Sequence, residues 1–277
     1  MALNTFFKKY LISPNELFRK KKINIRIIDC RWYLEDNKKG LKEFLKSHIK
    51  NSIFLDIEKL SGSSDLPHMF PSSIKFNKFI NSNGLNYNNE IIIYDQTGFF
   101  CSSRVWFMFS FFGFKNVKIL NGGIKNWKIH KFPLSKLIKK KRRSFTYISE
   151  IKTNLLINKY EITQLLKSKS KLYKIIDARP RNRFLGEKAE PREGLRKGNI
   201  KFSINIPFSD IIKKNGTIKS IVELRSIINK NMIKEKHTII CYCGSGITAC
   251  NLIFAFNIIG LSNTKLYDGS WAEWGKK

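Results

Sequence analysis

Apolar and polar residues follow one another along this chain in two similar series of short elements. Runs of four or five mostly apolar residues predict strands, and longer stretches with an apolar face predict helices. The predicted elements are a helix at 14–20, strands at 25–29 and 91–94, a helix at 105–112, a strand at 117–120, a helix at 160–167, strands at 174–177 and 238–242, a helix at 247–259 and a strand at 264–267. Short apolar strands that alternate with helices predict mainly parallel sheets flanked by helices, and therefore an α/β fold.

The two series are copies of one pattern. Three pairs of segments recur at a spacing of 147 or 148 residues. These pairs are 27–31 with 175–179, 91–95 with 239–243, and 121–127 with 268–274. Three pairs in nearly one register favour two tandem domains over chance similarity. We therefore predict one domain at residues 1–130, a second at 156–277, and a connector at 131–155 that is rich in lysine and arginine.

The segment after the predicted strand at 238–242 carries the strongest candidate for chemistry. Cys243 ends the apolar run and is followed by Gly244, Ser245 and Gly246, and then by the apolar start of a helix. Glycines let the backbone curl around a bound anion, and the amino end of a helix favours negative charge. The pattern therefore favours a thiolate nucleophile at Cys243. A buried cysteine with a purely structural role is the alternative.

Composition restricts the class of protein. The most apolar segment of the 277 residues, 105–114, is too short to span a membrane. Residues 1–22 contain no apolar segment followed by a small-residue cleavage site, so we expect a cytoplasmic protein. The five cysteines include no Cys-x-x-Cys pair, which argues against a zinc site or a disulfide framework and fits a reducing compartment. No metal or organic cofactor is indicated.

The charge raises the question of nucleic acid as a partner. The formal net charge is +31, from 52 lysine and arginine residues against 21 aspartate and glutamate residues. The lysines are scattered among abundant isoleucine, asparagine and phenylalanine, and the densest cluster, 139–143, lies in the predicted connector. We interpret the charge as compositional drift rather than as a nucleic-acid surface. A basic field would still attract small anionic substrates.

Four motifs resemble the rhodanese family of sulfurtransferases, and the first is the Asp-x-Arg triplet at 29–31 and 177–179. Residues 243–249 are similar to the active-site loop of its 3-mercaptopyruvate sulfurtransferases, 267–274 to the family's C-terminal signature and 44–49 to the N-terminal one. The turns at 47–52 and 198–203 depart from the family's usual sequence. The resemblance covers nearly the whole chain. It implies two tandem rhodanese-like domains, each with a mainly parallel sheet flanked by helices.

The resemblance also implies a reaction in two halves at Cys243. The thiolate attacks the sulfur of 3-mercaptopyruvate, a persulfide forms, pyruvate leaves, and a thiol or cyanide then removes the outer sulfur. Loop residues Gly244, Gly246, Ile247 and Thr248 are implied to bind the substrate and to stabilise the anionic sulfur through backbone amides. The expected partners are a small anionic sulfur donor and a thiol acceptor, for which thioredoxin is a candidate. No membrane partner is expected.

The first copy has a carboxylate where the second has this cysteine. Asp95 stands at the position of Cys243 and cannot carry sulfane sulfur, so we expect the first domain to be catalytically silent. Cys101, six residues later, is interpreted as a structural thiol. An Asp-x-Arg triplet follows the first apolar strand of each copy, and structural ion pairs are the expected role of its members, Asp29, Arg31, Asp177 and Arg179.

Arginines near residue 190 are candidates for holding the substrate carboxylate. The spacing of Arg183 and Arg192 resembles that of the two substrate-binding arginines of the mercaptopyruvate enzymes. A guanidinium grips a carboxylate with paired hydrogen bonds. Solvated surface charge is the alternative for both, and Arg196 is the weaker candidate.

A proton relay is the last group of candidates. In some family members a serine, a histidine and an aspartate manage protons on the substrate carbonyl, and Ser245, His68 and Asp56 stand in the matching segments. His68 can supply a proton near neutral pH. Glu58 is the alternative to Asp56 as the acid, because one sequence does not fix the register of this segment. The alternative is that Asp56 and His68 only hold an interface between the domains, and both readings stay open.

Three other functions are alternatives to sulfur transfer from mercaptopyruvate. A phosphatase of related architecture needs an arginine six residues after the cysteine, where this chain has Ala249. A thiosulfate sulfurtransferase is the nearer rival, although its dianionic substrate favours more positive charge than Gly244 and Ser245 supply. A non-catalytic RNA-associated or scaffolding protein rests only on the net charge.

Overall fold

The computed structural model describes residues 7–21, 24–138, 147–168 and 170–277. They form two compact units. The first contains the described residues of Met1–Gly62, Phe70–Lys152 and Lys214–Ile218, and the second those of Ser63–Met69, Thr153–Lys213 and Lys219–Lys277. The basic cluster of the predicted connector, 139–143, lies outside the described residues.

The first unit is built on a five-stranded parallel sheet with the order β1-β5-β4-β2-β3. Its strands are β1 Leu11–Ile12, β2 Ile25–Asp29, β3 Ser52–Phe54, β4 Glu90–Tyr94 and β5 Val117–Leu120. Its helices are α1 Pro14–Arg19, α2 Lys39–Lys46, α3 Ile57–Leu60, α4 Ser73–Ser82, α5 Ser102–Phe111 and α6 Gly123–Ile129.

The second unit repeats this sheet with the order β6-β10-β9-β7-β8, again parallel throughout. Its strands are β6 Leu156–Ile157, β7 Tyr173–Asp177, β8 Ile204–Asn205, β9 Thr238–Tyr242 and β10 Thr264–Tyr267. Its helices are α7 Lys159–Ser168, α8 Arg181–Phe184, α9 Ile221–Lys230, α10 Ala249–Ile258 and α11 Ser270–Trp274. The prediction of two α/β copies with parallel sheets is confirmed.

Local sequence explains how the elements begin and where they pack. Helices α1 and α9 start with capping boxes. The hydroxyl oxygens of Ser13 and Ser220 each accept a hydrogen bond from the backbone amide of a glutamate three residues later, and the side chain of that glutamate accepts one from the amide of the serine. Every residue of β4 is buried, as expected for a strand covered on both faces. Helices α5 and α10 are buried almost all round, which agrees with their nearly uninterrupted apolar sequences.

The Asp-x-Arg triplets form buried ion pairs, as predicted. Arg31 Nη2 lies 2.7 Å from Asp29 Oδ2, and Arg179 Nη2 lies 2.5 Å from Asp177 Oδ2. Each arginine also donates to a backbone carbonyl, that of Ser47 in the first unit and of Gly198 in the second. Because each pair stands directly after a central strand, it fixes the loops that leave the carboxyl edge of each sheet.

None of the helices in the described part of the chain is both long and apolar enough to cross a membrane.

Candidate active site at the carboxyl edge of the second sheet

Cys243 follows β9 directly and is held through its backbone by the start of α11. The cysteine amide donates to Ser270 Oγ at 3.2 Å, and its carbonyl accepts from the amide of Trp271 at 2.9 Å. The Gly244 carbonyl accepts from the amide of Ala272 at 2.9 Å. Cys243 is 2 % exposed. The segment 267–274 therefore fixes the loop that carries the candidate nucleophile, a role that sequence reasoning did not assign to Ser270.

The loop itself leaves amide hydrogens available. Gly246 has φ of 77°, a left-handed conformation that glycine adopts without strain, and α10 begins at Ala249. The amides of Gly246, Thr248 and Ala249 have no acceptor among the described residues. Amides at the start of a helix make an anion-binding concavity, so the loop can stabilise negative charge on a sulfur atom.

The corresponding loop of the first unit is filled by its own carboxylate. Asp95 is fully buried. Its Oδ1 accepts from the amides of Thr97 and Gly98, and its Oδ2 from three further amides at 2.7–2.9 Å. Those three donors are Phe100, Cys101 and Ser102. Asp95 thus acts as an internal anion in the loop that follows β4, at the position that Cys243 has after β9.

We expect Asp95→Asn to lower the free energy of unfolding by about 2–4 kcal/mol, because an amide replaces a charged acceptor and points an NH₂ group at backbone donors. Urea unfolding followed by circular dichroism measures this loss. Asp65→Asn is the matched control, since Asp65 is exposed. Equal stability of the two variants would contradict the internal-anion role.

His68 and Ser245 come together in the second unit. His68 Nδ1 lies 2.9 Å from Ser245 Oγ, and both residues are buried. His68 has φ of 59°, in the left-handed region that only a few per cent of residues other than glycine adopt. Residues held in such conformations cluster at functional sites. The hydrogen bond joins residues 177 positions apart in the chain.

Asp56 and Glu58 belong to the first unit. Asp56 is the N-cap of α3, where its Oδ1 accepts from the amides of Glu58 and Lys59. Glu58 Oε1 accepts from the indole nitrogen of Trp32 at 2.7 Å. Each carboxylate therefore has a local structural function in addition to the relay role predicted for it.

Arg183 lies beside the loop and is ion-paired. Its Nη2 would be 3.1 Å from a Cβ built at Gly244, so the guanidinium lies directly against the backbone of Gly244. Arg183 also pairs with Glu190, whose side chain is 2 % exposed. The same glutamate accepts from Arg179 Nη1 at 2.7 Å. Glu190 therefore links the buried Asp177–Arg179 pair to the guanidinium next to Gly244, and sequence reasoning missed it.

The other two arginines differ in their surroundings. Arg192 is half-buried on the segment that follows Glu190. Arg196 is exposed, and its Nη2 donates to the carbonyl of Trp274 at 2.8 Å. Arg196 thus holds the C-terminal segment.

Comparison with known proteins identifies this arrangement. The sequence model for the rhodanese-like domain matches residues 14–130 and 160–277, so it covers both copies. The chain belongs to the rhodanese family. The two repeated sheets are therefore those of two tandem rhodanese-like domains.

Curated relatives of this rhodanese carry two activities. The 3-mercaptopyruvate sulfurtransferase of Escherichia coli K12 is 34 % identical over 260 residues, which cover 91 % of this chain and 90 % of that protein. Mouse thiosulfate sulfurtransferase is 33 % identical over 260 residues, covering 92 % of this chain and 86 % of the relative. The chain is accordingly a member of the sulfurtransferase enzymes.

Solved structures match the fold of this rhodanese over nearly its full length. The crystal structure of SseA from Escherichia coli, a 3-mercaptopyruvate enzyme, is 30 % identical with a TM-score of 0.85, and the match covers 95 % of this chain and 99 % of that one. Tum1 from Saccharomyces cerevisiae is 28 % identical with a TM-score of 0.84, covering 96 % and 94 %.

Proposed function

We propose that this rhodanese transfers sulfane sulfur from 3-mercaptopyruvate to a thiol acceptor through a persulfide on Cys243. The observation that carries the proposal is the loop after β9, in which Cys243 is followed by a small, uncharged Gly244-Ser245 and by amides that have no protein acceptor among the described residues. A guanidinium stands at the edge of this loop, where a carboxylate substrate would need positive charge.

The first half-reaction uses the Cys243 thiolate as the nucleophile. It attacks the donor sulfur, so that a sulfur–sulfur bond forms on Cys243 and the bond between sulfur and C3 of mercaptopyruvate breaks. The electron pair of the broken bond passes to C3, giving the enolate of pyruvate, which then takes up a proton. The amides of Gly246, Thr248 and Ala249 stabilise the anionic persulfide that remains.

Ser245 and His68 are proposed to act on the substrate carbonyl. Their mutual hydrogen bond directs the serine hydroxyl, and a histidine can exchange a proton near neutral pH as the enolate forms. Asp56, in the first unit, remains the proposed third member of the relay. Arg183 and Arg192 are proposed to bind the substrate carboxylate.

The second half-reaction returns the enzyme to its thiolate. A thiol attacks the outer sulfur of the persulfide, and thioredoxin is the proposed protein acceptor. All five cysteines are free thiols, which fits a reducing compartment, and we propose the cytoplasm. Thiosulfate is the second candidate donor, because relatives that bear the two activities are almost equally similar to this chain.

Parallel assays with the two donors test the proposal. We expect pyruvate release from 3-mercaptopyruvate and thiocyanate formation with cyanide as acceptor, at a higher kcat/KM than thiocyanate formation from thiosulfate. A higher kcat/KM with thiosulfate would assign the chain to the other activity. Absence of turnover with both donors, in folded protein with a titratable Cys243 thiol, would overturn the proposed function.

We expect Glu190→Gln to raise KM for mercaptopyruvate about tenfold with a smaller change in kcat, because an uncharged partner no longer aligns the Arg183 guanidinium. Steady-state pyruvate release separates the two constants. Glu187→Gln is the matched control, since Glu187 is exposed on the same segment. A loss confined to kcat would instead place Glu190 in the chemical step.

A further inference from the structure

A cleft of about 600 Å³ opens at the amino ends of β7 and β9 in the second unit. We call it the lysine cleft, and its walls include Lys171, Lys174, Lys234, Lys236, Phe202 and Met232. Strand β7 is five residues long and its other end adjoins the Cys243 loop. The cleft therefore lies about 16 Å from the proposed catalytic site, at the opposite edge of the same sheet.

Two residues of the lysine cleft adopt a backbone conformation that their side chains disfavour. Phe202 has φ of 63° and Met232 has φ of 52°. Both side chains are large and apolar, yet they are 69 % and 70 % exposed. Neither burial nor backbone preference explains these residues at these positions. Strained residues of this kind cluster at ligand-binding sites, so their exposure in one cleft indicates a ligand.

The first copy provides an internal comparison. Helices α4 and α9 end in the same turn, and the first copy has Gly84 at φ 62° where the second has Met232. The turn before β3 has Asn51 at φ 71° where the turn before β8 has Phe202. Glycine and asparagine adopt this conformation readily. In the second copy, two exposed apolar residues thus replace two residues that suit the backbone, and both line the same cleft.

Part of the charge of the lysine cleft is also specific to the second copy. The turn before β4 has three asparagines where the turn before β9 has Lys234, Lys236 and His237. The turns have the same geometry, since the Asn86 amide donates to Asn89 Oδ1 at 3.0 Å and the Lys234 amide donates to His237 Nδ1 at 2.9 Å. The turn therefore does not require lysines.

The positive charges of the lysine cleft repel one another. Burial lowers the pKa of His237, and the charges of Lys174, Lys236 and Lys234 lower it further. No carboxylate is found among the described residues that line the cleft. A bound anion would relieve this repulsion and raise the pKa of His237.

We propose that the lysine cleft binds a nucleotide-type ligand, in which a polyphosphate is joined to a planar aromatic base. The ammonium groups of the lysines neutralise the phosphates, and the Phe202 ring and the Met232 thioether provide the surface on which the base packs. The volume falls within the range of small-molecule sites, roughly 300–1,000 Å³, which favours this ligand over a protein segment.

Titration calorimetry of the full-length protein with ATP, tripolyphosphate and adenosine tests the proposal, at an ionic strength of about 0.15 M to screen the net charge. We expect ATP to bind at one site. Phe202→Asn combined with Met232→Gly should weaken ATP binding about tenfold and leave tripolyphosphate binding unchanged, because only the base loses its contacts. These substitutions install the residues of the first copy, so the variant should unfold at a higher temperature than the parent protein.

Charge variants distinguish binding of ATP in the lysine cleft from nonspecific attraction of ATP to a basic protein. Lys234→Asn combined with Lys236→Asn should weaken both ATP and tripolyphosphate binding about tenfold or more. Lys159→Asn combined with Lys167→Asn removes the same charge from exposed positions of α7 and should change neither. In ¹H–¹³C NMR titrations, ATP should raise the pKa of His237.

Three results would overturn the proposal. The first is an equal loss of ATP binding in both lysine variants, which would show nonspecific attraction to a basic protein. The second is unchanged ATP affinity in the Phe202/Met232 variant. The third is binding of an acidic, leucine-containing peptide without binding of ATP, which would make the lysine cleft a protein-docking surface. Sulfur transfer is measured separately, so a failure here would not bear on Cys243.

Discussion

Replacing Cys243 by serine is expected to abolish pyruvate release from 3-mercaptopyruvate, with a fall in kcat/KM of at least about a thousandfold. A serine hydroxyl cannot form the sulfur–sulfur bond on which the proposed first half-reaction depends. The fold should survive, because the bonds that fix this residue come from its backbone amide and carbonyl rather than from its sulfur. Steady-state pyruvate release and circular dichroism measure the two effects separately.

Cys30→Ser is the matched control for this experiment. Cys30 is a buried thiol of the first unit whose Sγ donates to the Tyr94 carbonyl at 3.3 Å, and a serine hydroxyl can make the same bond. We expect its turnover to equal that of the parent protein. Mass spectrometry after exposure to donor alone should show one added sulfur on Cys243. Retained turnover in Cys243→Ser, or added sulfur on another cysteine, would contradict the proposed nucleophile.

Arg179→Met is expected to lower the free energy of unfolding by about 3–5 kcal/mol, because it leaves the buried carboxylate of Asp177 without its cation and Glu190 with only one of its two. Arg179 donates to Asp177, to Glu190 at 2.7 Å and to the Gly198 carbonyl at 2.7 Å. Its guanidinium carbon also lies 4.3 Å from the centre of the Trp271 ring. Urea unfolding followed by circular dichroism measures the loss.

Arg181→Met is the matched control for the loss of stability. It makes the same chemical change two residues away, at an exposed position, and should alter stability by less than about 0.5 kcal/mol. The Arg179 variant should also show a raised KM for mercaptopyruvate, since Glu190 joins both arginines. A small loss of stability in Arg179→Met would mean that water replaces the guanidinium at Asp177 and Glu190.

Strongly patterned segments could be predicted from the sequence, and weakly patterned ones could not. Strands β2, β5, β9 and β10 match their predicted limits, because each is a short run whose apolar residues are buried in a parallel sheet. Helices α4 and α9 were not predicted, although both are ten residues long and begin with a serine cap. Only two residues of each helix are buried, Phe76 and Ile80 in α4 and Leu224 and Ile228 in α9, and the packing of these residues decides whether the helix forms.

The sequence alone determined that this chain contains two copies of an α/β domain, that Cys243 stands in a glycine-containing loop between a strand and a helix, and that Asp95 replaces it in the first copy. These features are local, because strand, loop and helix follow one another within about fifteen residues. The tertiary structure decided which distant groups complete the site. The His68–Ser245 hydrogen bond, the Ser270 hydroxyl behind the Cys243 amide, and Glu190 between two arginines depend on contacts between separate segments, which local periodicity does not encode.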